Sequence, residues 1–97
     1  MLSNEQIHEC IGILAEWSPF RFTENQMIEL FETDCGKIIA NGYGSNVGMN
    51  HYGIMNKEIR KEFYHCVAKY LGFNDWIISP DMLSRAEELG IVVDREY

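Results

Sequence analysis

The sequence predicts a helix-rich α+β single domain over residues 1–97, with about four helices and a small two- or three-stranded sheet. Three observations carry this. Asn56 to Gly72 reads as an amphipathic helix with a cap residue at each end. The same helix-start chemistry occurs at Ser3 and again at Thr23. Five of the eight glycines fall between positions 36 and 55, beside short apolar runs of strand character.

The 57–71 helix is the expected organiser. Ile59, Phe63, Cys66, Val67 and Tyr70 recur at spacings of three and four, in a sector about 100° wide. Lys57, Lys61, Glu62, His65 and Lys69 take the other side. At the N-terminus, Ser3 is the cap, Gln6 the capping-box residue, and Leu2 and Ile7 the hydrophobic staple. That helix runs to about Trp17, where Ser18-Pro19 stops it. Its expected inward face is Ile7, Cys10, Ile11, Leu14 and Trp17. Thr23, Gln26 and the staple pair Phe22 and Met27 open a second helix, which ends near Cys35–Gly36 with Met27, Ile28, Leu30 and Phe31 inward.

From there the reading changes in kind. Lys37 to Ala40 is expected as a short strand, with Asn41-Gly42 as its turn, and Val47 to Met55 as a second strand or an ordered loop. Phe73 to Ile78 is apolar and expected to be buried. Pro80 opens the last helix, which carries Met82, Leu83, Ala86 and Leu89 inward and ends at Gly90. Ile91 to Val93 is expected to pair with 37–40.

With 46% hydrophobic residues the chain can bury one modest core. No run approaches the roughly 20 apolar residues of a membrane helix, and Met1–Gln6 lacks the basic and apolar regions of a secretion signal. Cys10, Cys35 and Cys66 form no CxxC pair; free thiols in a reducing cytoplasm are the expectation. The net charge of −7 is unevenly placed: residues 1–36 hold seven acids against Arg21 alone, the 57–71 helix is mildly basic, and residues 72–97 hold six acids against two arginines. Such a field repels nucleic acid and anionic membrane and attracts basic proteins.

No catalytic or metal-binding constellation emerges. Gly42 to Gly48 has glycines but neither the GK[ST] nor the helix start of a phosphate-cradling loop. Cys66 and His65 are adjacent on one helix and point apart. Glu58 and Glu62, one turn apart beside Lys57 and Lys61, read as a solvated face. No HxxxH, CxxC or calcium-loop spacing occurs, so no metal and no cofactor is expected.

The feature with functional content is acidic. Glu5, Glu9 and Glu16 share one narrow sector of the first helix, about 6 Å and 10 Å apart along the axis. Glu29, Glu32 and Asp34 follow on the next. Phosphates along a DNA strand repeat about every 3.4 Å, so two such rows can present charge at phosphate-like spacing. Exposed acids are also common simply for solubility. In size, charge and the lack of a catalytic constellation, the chain resembles the small inhibitor proteins of phages and mobile elements, among them anti-CRISPR proteins that act as DNA mimics. Those proteins share no motif, so the resemblance transfers no residue. It implies a non-enzymatic cytoplasmic inhibitor that meets a basic nucleic-acid-binding protein, with no direct contact to nucleic acid or membrane; helical geometry, not the resemblance, offers Glu5, Glu9, Glu16, Glu29, Glu32 and Asp34 as the contacts. The alternative is a small structural or regulatory interaction module, a homodimer among its forms, with contacts from Tyr43, Tyr52, Tyr64 and Tyr97.

Overall fold

The computed structural model describes residues 2–44 and 55–97. Among them, five helices and a two-stranded antiparallel sheet form a helix-rich α+β arrangement: α1 (Asn4–Trp17), β1 (Phe20–Arg21), α2 (Glu24–Glu32), α3 (Asp34–Gly44), α4 (Lys57–Tyr70), α5 (Pro80–Glu88) and β2 (Val92–Val93). The expected segment Val47–Met55 lies outside the described residues except for Met55, which is buried.

Both capping boxes form. Ser3 and Thr23 each accept the backbone N–H of the glutamine three residues on, and each glutamine side chain accepts the cap's own N–H. Asn56 Oδ1 accepts from Ile59 N at 3.0 Å and so starts α4. Ser79 caps α5, with Pro80 in its first turn. Gly72 and Gly90 take φ of 91° and 81° just past α4 and α5, a conformation costly for any residue with a Cβ.

The segment expected as a strand at 37–40 is the middle of α3. Thr33 decides this. Its Oγ1 donates to Leu30 O at 2.6 Å and accepts from Gly36 N at 3.0 Å, so one residue closes α2 and opens α3. Cys35, Ile39 and Tyr43 then recur every fourth residue toward the core, while Ile38 is 68% exposed. The glycines read as turn signals serve close approach. A Cβ on Gly36 would stand 1.9 Å from Leu30 O, and one on Gly42 would stand 3.0 Å from the Ile59 side chain on α4. Asn41-Gly42 is therefore helix, not turn.

Ile91–Val93 consequently finds a different partner. β2 pairs with β1, Phe20 opposite Val93 and Arg21 opposite Val92, and Asp94 N extends the ladder to Pro19 O at 2.7 Å.

One core joins the helices. Phe63, Cys66, Val67 and Ala68 of α4 are buried with Leu14, Phe20, Met27, Leu30, Ile39, Tyr43 and Met82. Phe31 stacks on Phe63 with ring centroids 6.0 Å apart, and Trp76 stacks on Tyr64 at 5.2 Å while meeting Phe20 edge-on. Several residues expected inside lie outside. Trp17, on the last turn of α1, is 55% exposed, and Ile13 is buried instead. Ile28 and Leu89 sit on helix flanks and are exposed. In the irregular stretch after Gly72 only Phe73 and Trp76 pack on the core; Ile77 is 67% exposed.

Candidate functional site

Five of the six acids singled out by the sequence, Glu5, Glu16, Glu29, Glu32 and Asp34, are exposed. Glu9 is not: it is half-buried, and the hydroxyl of the fully buried Tyr43 on α3 donates to its Oε2. Its other oxygen, Oε1, is shielded from solvent and has no hydrogen-bond partner among the described residues. Helical spacing aligned Glu9 with Glu5 and Glu16 but could not show that α3, expected there as a strand, would cover the middle of the row. Burial, reinforced by the bond to Glu9, holds the Tyr43 hydroxyl well above the usual tyrosine range. Tyr43 is therefore unavailable as an exposed contact of a homodimer, and Tyr52 lies outside the described residues. Tyr64 is half-buried against Trp76; Tyr97 remains exposed.

The α1 row and the α2 acids face different neighbours. Glu16 and Glu9 line a groove of about 540 Å³ with Gly12, Ile13, Trp17 and Arg60 of α4. Arg60 donates from Nη2 to Met55 O at 3.2 Å, and its buried Nε has no hydrogen-bond partner among the described residues. Glu29 instead accepts from the Tyr70 hydroxyl at 3.1 Å, at the far end of α4. On the other side of Arg60, Lys57, Glu58, Lys61 and Tyr64 line a second groove of about 350 Å³. Trp17 and Arg60 were not singled out by the sequence. The one was assigned to the core by its spacing and the other carried no motif.

Three acids of the C-terminal region are compensated by arginine. Arg85 pairs with Glu88 at 3.1 Å, Arg21 with Asp94 at 3.2 Å, and Arg95 with Glu87. His8 stands 3.0 Å from Glu24. Among the described residues, none of Glu5, Glu9, Glu16, Glu29, Glu32 and Asp34 pairs with a lysine or arginine. The described residues also hold no group of three or more His, Cys, Asp or Glu side chains placed to bind a metal, and no helix long and apolar enough to cross a membrane. Of the Gly42–Gly48 segment, Gly42 to Gly44 are helix and residues 45–48 lie outside the described residues.

Comparison with protein-family models, with curated proteins and with solved structures finds no match.

Proposed function

We propose that the chain is a non-enzymatic inhibitor, acting in the cytoplasm, that occupies a basic nucleic-acid-binding surface of a target protein and keeps DNA or RNA off it. The observation that carries the reading is the set of exposed carboxylates on α1, α2 and the start of α3 left without a cationic partner among the described residues. Uncompensated charge on rigid helices steers a basic partner into encounter, and the stereochemistry of the helices fixes the spacing at which it is met. Glu5, Glu16, Glu29, Glu32 and Asp34 are the contacts. Glu9, held by Tyr43, shapes the surface from beneath. The resemblance to phage inhibitors of the anti-CRISPR kind supports the same mode of action: competitive blockade that needs no cofactor.

The test is displacement. Proteins of a bacterial extract are bound to immobilised duplex DNA, and the chain is added at low salt. The parent should release a discrete set of proteins. The Glu5/Glu16/Glu29/Glu32→Lys variant, folded by circular dichroism, should release none, and raised salt should abolish release by the parent. Parent and variant acting alike would defeat the reading. A self-associating module is the second reading, favoured by the exposed side chains of Ile38, Ile77 and Val92. Its signature is a concentration-dependent dimer in sedimentation that survives high salt.

A further inference from the structure

The groove of about 540 Å³ between α1 and α4 holds three features that the fold itself does not require. The first is Gly12. Glycine is a poor helix former, and Gly36 and Gly42 are explained by the atoms a Cβ would strike. A Cβ on Gly12 would meet no described atom within 4 Å, so packing within the chain does not ask for glycine there; its missing side chain keeps the groove open. The second is Trp17, a large ring left 55% exposed at the end of α1. The third is charge. Glu16 is exposed and has no cationic partner among the described residues, and Glu9 Oε1 has no hydrogen-bond partner among them. Arg60 lines the same groove, but it donates to Met55 O. Two carboxylates against one guanidinium leave the groove negative. Its α1 side is held in place. Ser18 Oγ donates to Leu14 O at 2.6 Å and accepts from Phe20 N at 3.2 Å, and the Tyr97 hydroxyl donates to Glu16 O at 2.9 Å.

We propose, resting on the inhibitor reading above, that this groove seats one arginine side chain of the basic partner. A guanidinium is planar and weakly hydrated. It stacks on an indole face and presents parallel N–H donors to a carboxylate. Trp17 supplies the ring and Glu16 the carboxylate, both from the last turn of α1. The methylene stem of the arginine lies along Ile13 and the open surface at Gly12, as long cationic side chains do on apolar ground. Glu9 adds negative potential beside it. A lysine ammonium is compact and strongly hydrated and has no plane to stack, so it gains only the Coulombic part. An anion would be repelled by the two carboxylates, and an apolar occupant would strip water from them without compensation. A second copy of the chain is a poor source of the arginine, since Arg21, Arg85 and Arg95 are each engaged by an acid of their own chain. Because the groove is preformed, little ordering is lost when the side chain enters.

The test uses the full chain carrying Trp76→Phe, which leaves Trp17 as its one tryptophan and therefore as the reporter in the groove. Capped tetra-arginine and tetra-lysine peptides of equal charge are titrated at low salt. The arginine peptide should change Trp17 emission saturably and bind about two- to fivefold tighter than the lysine peptide, the factor expected of cation–π contact at an exposed site. Gly12→Leu fills the groove without changing charge and suits a helix, and it should abolish the arginine preference in a chain that stays folded by circular dichroism. Glu16→Gln should weaken the arginine peptide more than Glu62→Gln, which removes one charge from an exposed site outside the groove. Equal affinity of the parent for the two peptides, or a preference retained by Gly12→Leu, would overturn the groove even where the parent displaces proteins from DNA. A preference that Gly12→Leu abolishes supports it even where displacement fails, so the groove and the inhibitor reading fail separately.

Discussion

Residues 1–36 and residues 72–97 carry seven and six carboxylates, and folding gives the two sets different neighbours. In the C-terminal region Arg85, Arg95 and Arg21 reach Glu88, Glu87 and Asp94. Arg21, the one base of the N-terminal region, is spent on the other one: β1 lies beside β2, and its guanidinium also donates to Ser18 O at 2.6 Å and lies over the Tyr97 ring. The acidic character of the N-terminal third is therefore greater in the folded chain than its composition implies, and that of the tail is smaller. Local charge counts predict a field only when the pairing is local. Here a tertiary strand pairing moves a cation from one region to the other.

The largest expected effect tests whether the two regions share one core. Phe63→Ala should cost about 3–5 kcal/mol, because a buried ring that stacks on Phe31 is lost. Trp17 reports on the first region and Trp76 on the second. Fluorescence of Trp17→Phe and Trp76→Phe backgrounds should lose its folded signal at one shared denaturant midpoint, and separate midpoints would break the comparison into two independent units.

Next is the exception inside the N-terminal set. Tyr43→Phe leaves the Glu9 carboxylate without its donor and should cost about 1.5–3 kcal/mol in chemical denaturation, the usual loss for a hydrogen bond to a charged group. Glu5→Gln, on the same helix face, should stay within about ±0.5 kcal/mol. Equal effects at the two positions would remove the distinction between a structural and a free carboxylate.

A smaller effect is expected at the bridge between regions. Arg21→Ala should cost about 1–2 kcal/mol, mostly through its backbone hydrogen bonds, since a partly exposed ion pair contributes little. Asp94→Asn should cost less than Arg21→Ala. The reverse order would make the ion pair the main link.

The pH dependence has a definite sign on each side. Tyr43, Cys10 and Cys66 have folded values raised above their ordinary 10.0 and 9.0, chiefly by burial. Their contribution is full below about pH 9 and is lost as pH rises, when the unfolded chain ionises and the folded chain resists. Glu87 is shifted the other way, lowered by its bond to Arg95, so its contribution is present above the ordinary carboxylate value of 4.5 and is lost as pH falls. Denaturant midpoints should decline from pH 9 to 11, and Tyr43→Phe should flatten part of that decline. A midpoint unchanged to pH 11 would mean that these groups are not sequestered.

The helix starts were legible in the sequence because a cap is local chemistry. Ser3 with Gln6, Thr23 with Gln26, Asn56, and Ser79 with Pro80 all act within one turn, and no distant residue changes what they do. The inward face of α4 was legible for the same reason: a fixed period places Phe63, Cys66 and Val67 together. The acidic surplus and the candidate carboxylates could likewise be read off, since composition and helical spacing do not depend on a partner.

What tertiary structure decided were the questions whose answers lie far away in the chain. Glycine at 36 and 42 means a turn when only neighbours are weighed, and close helix packing once Leu30 and Ile59 stand where a Cβ would be. The segment 37–40 has strand-like residues, but the Thr33 cap and the burial of Ile39 and Tyr43 favour a helix, and that frees β2 to pair with β1. Glu9 was separated from Glu5 and Glu16 by a tyrosine on another helix, and Arg21 was assigned to Asp94 by a strand pairing. Local hydrogen bonding is settled within a turn of the chain. Which charges remain free is settled only when the elements meet, because an ion pair needs two residues in one place and the sequence alone does not say which residues those will be.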